Sequence, residues 1–199
     1  LMRALADLLA DPALTERVRL YHSIQNTTSY ALTPPLFYDT PLSIFAHLLI
    51  GSEGGLALVV EATLKLTPKP AAVGMLRALY VDVESAALAV ARLMNQPDTP
   101  SMLEFMDATA LKLARDVGGA DIPDAGALLM IEADGDPAQL PALLQKLAGY
   151  AQGEGCLGTA IARDADEQAQ LLAARKALSP ALRSLASGKI NEDVVVPIT

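Results

Sequence analysis

Three glycines fall within the five residues Gly51-Ser52-Glu53-Gly54-Gly55. That density marks a backbone that bends sharply or lies flat against something bulky, because only a residue without Cβ tolerates either at small steric cost. A cofactor is such an object, although a glycine closing the end of a helix is the plain alternative, and the two are compatible. The turn joins an apolar helical run ending at Ile50 to an alternating stretch that begins at Leu56. A Rossmann-type dinucleotide fingerprint runs strand, glycine loop, helix, so the order here is reversed. A phosphate-cradling P-loop needs a lysine and a hydroxyl residue after its last glycine. Leu56 and Ala57 stand there instead.

The remaining chemistry-bearing residues are few. His22, His47 and Cys156 are all the histidine and cysteine in the chain. They are too few soft ligands at workable spacing for a zinc site, and no metal is read. One cysteine allows no intrachain disulfide and is compatible with a reducing compartment. Cys156 opens an apolar strand pattern and reads as a small buried hydrophobe rather than a nucleophile. His47, on an apolar helix, reads as structural.

A net charge of -8 over 199 residues argues against wrapping nucleic acid or coating an anionic bilayer, both of which need clustered Lys and Arg. A small anionic ligand would have to be held by a few local cations. Hydrophobic residues make up 52% of the chain. That is enough for a packed core. No apolar run reaches the roughly 18 residues of a spanning helix. The chain is therefore read as soluble and cytoplasmic. It opens on an amphipathic stretch without a basic-then-apolar leader, as a piece from the middle of a longer polypeptide would.

The elements that must position these residues follow from periodicity. Leu1, Leu5, Leu8 and Leu9 form a helical stripe, and Asp11-Pro12 caps a second short helix. Residues 23–39, with Pro34-Pro35, read as a long loop. Thr40-Pro41 caps a third helix whose stripe is Leu42, Phe45, Leu48 and Leu49. From Leu56 to Leu66 the period becomes two, which predicts a half-buried strand. Thr67-Pro68-Lys69-Pro70 cannot continue a central strand and marks a boundary between residues 1–68 and 69–199.

Beyond it, strands are expected at Val73 to Val81, Ser101 to Met106, Ala127 to Ala133 and Leu157 to Ala162. Helices are expected at Glu84 to Gln96, Ala108 to Asp116 and Pro137 to Ala151, with a loop from Gly118 to Ala125. A longer helix, Asp164 to Leu185, follows, and Val194 to Val196 starts a strand. Strand, helix, strand occurs twice with similar punctuation, Val81-Asp82-Val83-Glu84 and Ala133-Asp134-Gly135-Asp136. This predicts a ferredoxin-like antiparallel sheet with helices on one face.

Three blocks together resemble a known family. Asn26-Thr27-Thr28-Ser29-Tyr30-Ala31-Leu32, Phe45-Ala46-His47-Leu48-Leu49-Ile50-Gly51-Ser52-Glu53-Gly54-Gly55-Leu56 and Glu61-Ala62-Thr63-Leu64-Lys65-Leu66-Thr67-Pro68 are similar to the second half of the flavin domain in FAD-linked oxidases, the vanillyl-alcohol oxidase or PCMH-type flavoproteins. The resemblance is to the branch that oxidises D-2-hydroxy acids such as D-lactate, glycolate and D-2-hydroxyglutarate. The family usually has Thr where this chain has Gly55 and Gly where it has Ser29, both small-for-small departures.

The resemblance implies an α+β chain: the C-terminal part of a PCMH-type FAD-binding domain at 1–68, then a ferredoxin-like substrate cap at 69–199, incomplete at its C-terminus. It implies FAD as cofactor, hydride transfer to flavin N5 and reoxidation by an acceptor other than nicotinamide. Gly51, Ser52, Glu53 and Gly54 would meet FAD through their backbone. Asn26, Thr27 and Tyr30 would meet the flavin or its ribityl chain, or serve an ordinary turn. Arg175, in a helix similar to the family's substrate-domain helix, would clamp the substrate carboxylate with its planar fork, helped by Ser179 on the same helix face. A solvated helix arginine is the alternative.

In the stretch Gly188 to Pro197 the second substrate cation would be Lys189, with Asn191 as the other occupant of that place. Glu104 recurs in the family at its position, either as a structural carboxylate or near substrate. The family's His-containing metal and base motif has no counterpart here, and the catalytic base is unassigned. The partners implied are a small 2-hydroxy acid, an unidentified electron acceptor and the rest of the same polypeptide, which would be cytoplasmic or peripheral to the inner membrane.

A non-catalytic ferredoxin-like small-molecule-binding or assembly module is the reading of a different class. An oxidase or aryl-alcohol enzyme sharing only the flavin fold is a third. Since the family holds much of its flavin through glycine-rich turns upstream of these blocks, the 199-residue chain expressed alone is expected to bind FAD poorly or not at all. Gel filtration after FAD loading checks this: a stoichiometric yellow chromophore co-eluting with the chain would refute it.

Overall fold

The computed structural model describes residues 7, 9–22, 30–116, 121–185, 188 and 190. They belong to two compact units that divide between Leu66 and Thr67. None of the described helices is long and apolar enough to cross a membrane.

In the first unit, helix α1 (Pro12–His22) starts where the sequence signals it. The Asp11 carboxylate accepts from the amides of Ala13 and Leu14 at 3.0 and 3.1 Å. Pro12 takes the first position, where its missing N–H costs nothing. The single turn α2 (Pro34–Phe37) interrupts the expected loop and buries both of its prolines. Helix α3 (Pro41–Leu48) is capped by Thr40, whose hydroxyl accepts from the Ser43 amide at 3.2 Å. Its buried residue is Ile44, whereas Leu42 and Phe45, on the expected stripe, are exposed. Helical spacing tells which residues share a face, not which face meets a neighbour.

The strand expected over residues 56–66 does not form. Leu58, Val60, Leu64 and Leu66 are 75–91% exposed, and no described residue pairs with the segment. Alternation supplies a strand with an apolar face but not with the neighbour its amides require, and strands are not stable unpaired.

The second unit is built on four strands: β1 (Ala72–Tyr80), β2 (Met102–Asp107), β3 (Ala127–Gly135) and β4 (Cys156–Ile161). Their order is β2-β3-β1-β4 with every adjacent pair antiparallel. This is the ferredoxin-like arrangement. Helix α4 (Val83–Met94) follows β1, α5 (Ala108–Asp116) follows β2, α6 (Leu140–Ala151) follows β3, and α7 (Ala165–Leu185) follows β4.

Helices cover both faces of this sheet rather than one. Leu76, Ala78, Tyr80, Leu129 and Ile131 pack with Ala86, Ala89 and Leu93 of α4 and Leu144 and Leu147 of α6. Met75, Leu128 and Met130 point the other way, where Leu111 of α5 and Leu171, Leu172 and Leu178 of α7 meet them. The reason lies in β3. Ala127 to Ile131 is a continuous buried run, not an alternating one. A strand apolar on both sides must be covered on both sides.

Two close contacts lock the first layer. The Tyr80 hydroxyl, fully buried, donates to the Ala151 carbonyl at 2.8 Å and so ties β1 to the end of α6. At Gly126 a Cβ would collide with the Val81 carbonyl, which is backbone and cannot rotate away. At Gly74 it would stand 2.5 Å from Cδ1 of Leu144, a side chain that can move.

Burial raises the Tyr80 pKa above the ordinary value of 10.0, so the folded phenol keeps a proton that the unfolded one releases. The stability this contributes is complete below pH 10.0 and declines as the pH rises beyond it. Tyr80→Phe is expected to cost about 1–3 kcal/mol at neutral pH, by leaving the Ala151 carbonyl unpaired. It should also flatten the loss of stability above roughly pH 10, measured by urea midpoints. Gly126→Ala is expected to lower stability by about 3 kcal/mol or more, and Gly74→Ala by about 1 kcal/mol. Equal thermal shifts for the two would contradict the backbone contact at Gly126.

Candidate functional site

The glycine turn follows α3 through two successive tight bonds, Ile50 N–H to the His47 carbonyl and Ser52 N–H to the Leu49 carbonyl, both 3.2 Å. Gly51 (φ 81°), Glu53 (φ 48°) and Gly54 (φ 83°) all take the left-handed conformation. For Glu53 this is an uncommon state, of the kind that gathers at ligand-holding turns. Ser52 is buried, and its hydroxyl donates to the Leu49 carbonyl at 2.9 Å. The Gly55 amide closes onto the Ser52 carbonyl at 2.7 Å. Ser52 is thus committed to holding the turn, while Gly51, Glu53 and Gly54 are exposed.

Tyr30 comes to this turn. Its hydroxyl would lie 2.6 Å from a Cβ on Gly55, so the glycine there makes room for the phenol. The ring remains half-exposed. Asn26 and Thr27 lie outside the described residues. Nearby, His47 stacks on Tyr38 with ring centroids 3.8 Å apart, and its Nδ1 lies 2.7 Å from the Ser43 carbonyl. A carbonyl only accepts, so Nδ1 carries the proton and His47 serves α3. His22 packs against Phe37 at 4.6 Å.

In the second unit Arg175 is half-exposed and ion-paired. Its Nη2 donates to Oε1 of Glu104 at 2.8 Å, joining α7 to β2. The side chains are 50% and 31% exposed. Solvent therefore limits what the pair adds to the fold to about 1 kcal/mol at most. Its consequence is orientation. Ser179 stands one turn beyond Arg175 on α7, immediately before Pro180, which has no N–H to give the Lys176 carbonyl. Lys189 and Asn191 lie outside the described residues. Cys156 is half-buried against the first core layer.

Sequence reasoning singled out Arg175 and Glu104 separately but missed their pairing, and it missed Arg77. Glu104 and Arg77 both pair with Met130, on its two sides. Residues opposite one another in a sheet share a face. Met130 is fully buried in the layer under α5 and α7, so both charged residues stand on the α7 side. Along α7, two turns before Arg175, Glu167 meets the field of Arg77. Its carboxyl is held below the ordinary value chiefly by the Arg163 side chain, then by the Arg163 amide, with Arg77 adding to them. The only signal in the sequence was opposite charges in a sheet row and along one helix.

Residues 69–199 match the family described as FAD linked oxidases, C-terminal domain, and the chain belongs to this family. It is 33% identical over 152 residues to glycolate oxidase subunit GlcD of Bacillus subtilis, covering 76% of this chain and 32% of that protein. It is 33% identical over 156 residues to glycolate oxidase subunit GlcD of Escherichia coli K12, covering 78% and 30%. A D-lactate dehydrogenase of Archaeoglobus fulgidus is 27% identical over 164 residues, covering 81% and 32%. The chain spans about a third of the length of the curated relatives it matches.

FAD is the cofactor of this family, and its members are oxidoreductases. The described turn is compatible with its approach: a Cβ at Gly54 would meet nothing within 4 Å, so the backbone there faces open space. Among the described residues no group of three His, Cys, Asp or Glu is placed to hold a metal ion.

Proposed function

We propose that the chain is part of an FAD-dependent dehydrogenase that oxidises a D-2-hydroxy acid of the D-lactate type to the 2-oxo acid. In this reading residues 1–68 are the C-terminal portion of the FAD-binding domain and residues 69–199 the substrate domain. The observation that carries it is Arg175, half-exposed on α7 with its guanidinium held in place by Glu104.

Each group then does one thing. Arg175 pairs with the two oxygens of the substrate carboxylate, the task its planar fork performs best. Ser179, four residues on and on the same helix face, adds a hydroxyl to the same carboxylate. Lys189, or Asn191 in its place, supplies a second polar contact. The exposed backbone of Gly51, Glu53 and Gly54 would hold the cofactor, Asn26, Thr27 and Tyr30 would add to that hold, and Ser52 holds the turn from within. FAD, when bound, supplies the acceptor for the hydride leaving the hydroxyl-bearing carbon. His47 is engaged with Ser43 and Tyr38, so it is not assigned as the base. An acceptor other than nicotinamide reoxidises the enzyme.

The full-length parent polypeptide, loaded with FAD, is assayed against a panel of D-2-hydroxy acids with a dye acceptor. Arg175→Ala is expected to cost about 2–5 kcal/mol in kcat/KM while flavin content stays at the wild-type level. Full activity in that variant would overturn the clamp and favour a binding or assembly module without chemistry.

A further inference from the structure

We infer that Glu104 is a positioning residue for the hydroxy-acid clamp, fixing Arg175 before substrate arrives. The inference rests on the reading of Arg175 as the carboxylate clamp. A guanidinium has several N–H donors in a rigid plane. Glu104 takes one from Nη2, which restrains the fork and leaves donors for a second carboxylate. An arginine on an unrestrained stem would lose its rotamer freedom at the moment of binding and bind more weakly for it.

The anchor is suited to the task. Glu104 sits on β2, whose pairing with β3 is continuous from Met102 to Asp107, and its neighbour Met106 is buried beneath α5 and α7. The other end of α7 is held as well. The Asp164 carboxylate caps it by accepting from the amides of Asp166 and Glu167 at 3.1 and 2.9 Å. Glu167 reaches back to the Arg163 amide at 2.8 Å and feels Arg77 from the sheet.

Arg77 and Glu104 flank Met130, and the Arg175–Glu104 pair ties the helix that carries the clamp to the Glu104 end of that row. The cost is a carboxylate beside an anion site, which lowers the positive potential that a bare arginine would offer. Pre-orientation must outweigh this for the arrangement to help.

The test uses the flavin-loaded full-length parent and four forms: wild type, Glu104→Gln, Arg175→Ala and the double variant. Gln keeps the shape of Glu and removes its charge. For D-lactate with a dye acceptor, Glu104→Gln is expected to raise KM about tenfold with kcat within about twofold, at unchanged flavin content and melting temperature. In the Arg175→Ala background it should change KM by less than about twofold, because its effect passes through the arginine. A KM left unchanged or lowered by Glu104→Gln, with Arg175→Ala still damaging, overturns the positioning role alone. So does an effect that adds in full to that of Arg175→Ala, since a structural role would behave that way. If Arg175→Ala is itself silent, the clamp falls and the positioning role with it.

Discussion

The central strands β1 and β3 are apolar on both faces, and the second unit is organised around that constraint. They run antiparallel in unbroken register, from Ala72 opposite Gly135 to Tyr80 opposite Ala127. Leu76, Leu129 and Ile131 point to one layer, Met75, Leu128 and Met130 to the other. A ladder buried on both sides cannot leave either side open. The two helices of the duplicated halves, α4 and α6, take one face, and α5 with α7 must take the second. Helix α7, which carries Arg175, lies over this face because Met75, Leu128 and Met130 have to be covered.

On that second face a few polar contacts act within an apolar layer. Arg77, Met130 and Glu104 form one row across the sheet, and Arg175 of α7 reaches the Glu104 end of it. The pair adds little to stability, since solvent screens it. What it controls is how the candidate clamp is presented. The glycine turn of the first unit uses a different device. There a buried serine and a left-handed glutamate hold the backbone in shape, leaving the exposed glycine carbons without side chains.

Much of this was legible in advance, and the legible part is local. Asp11-Pro12 and Thr40-Pro41 each cap the helix they announce, and Asp82, in the punctuation before α4, caps that helix too. A side-chain oxygen satisfying a free amide depends only on residues within the same turn. The strands of the second unit lie within a few residues of where alternation and turn residues put them. The failures are of one kind. Residues 56–66 have a strand's alternation without a strand's neighbour among the described residues. Leu42 and Phe45 have helical spacing but face outward, while Ile44 turns in. The unbroken apolar run Ala127 to Ile131 was the one available sign that the sheet has two covered faces.

Residue order by itself determined the antiparallel α+β unit, the glycine turn after α3 and which residues are candidates around it and on α7. These follow from periodicity, caps and the special freedom of glycine, all properties of neighbours along the chain. Only the tertiary structure decided that Glu104 grips Arg175, that Arg77 joins Glu104 in one row, and that Tyr30 lies against Gly55. Those contacts join residues far apart along the chain, and no local pattern encodes which side chains strand pairing and helix docking will bring together.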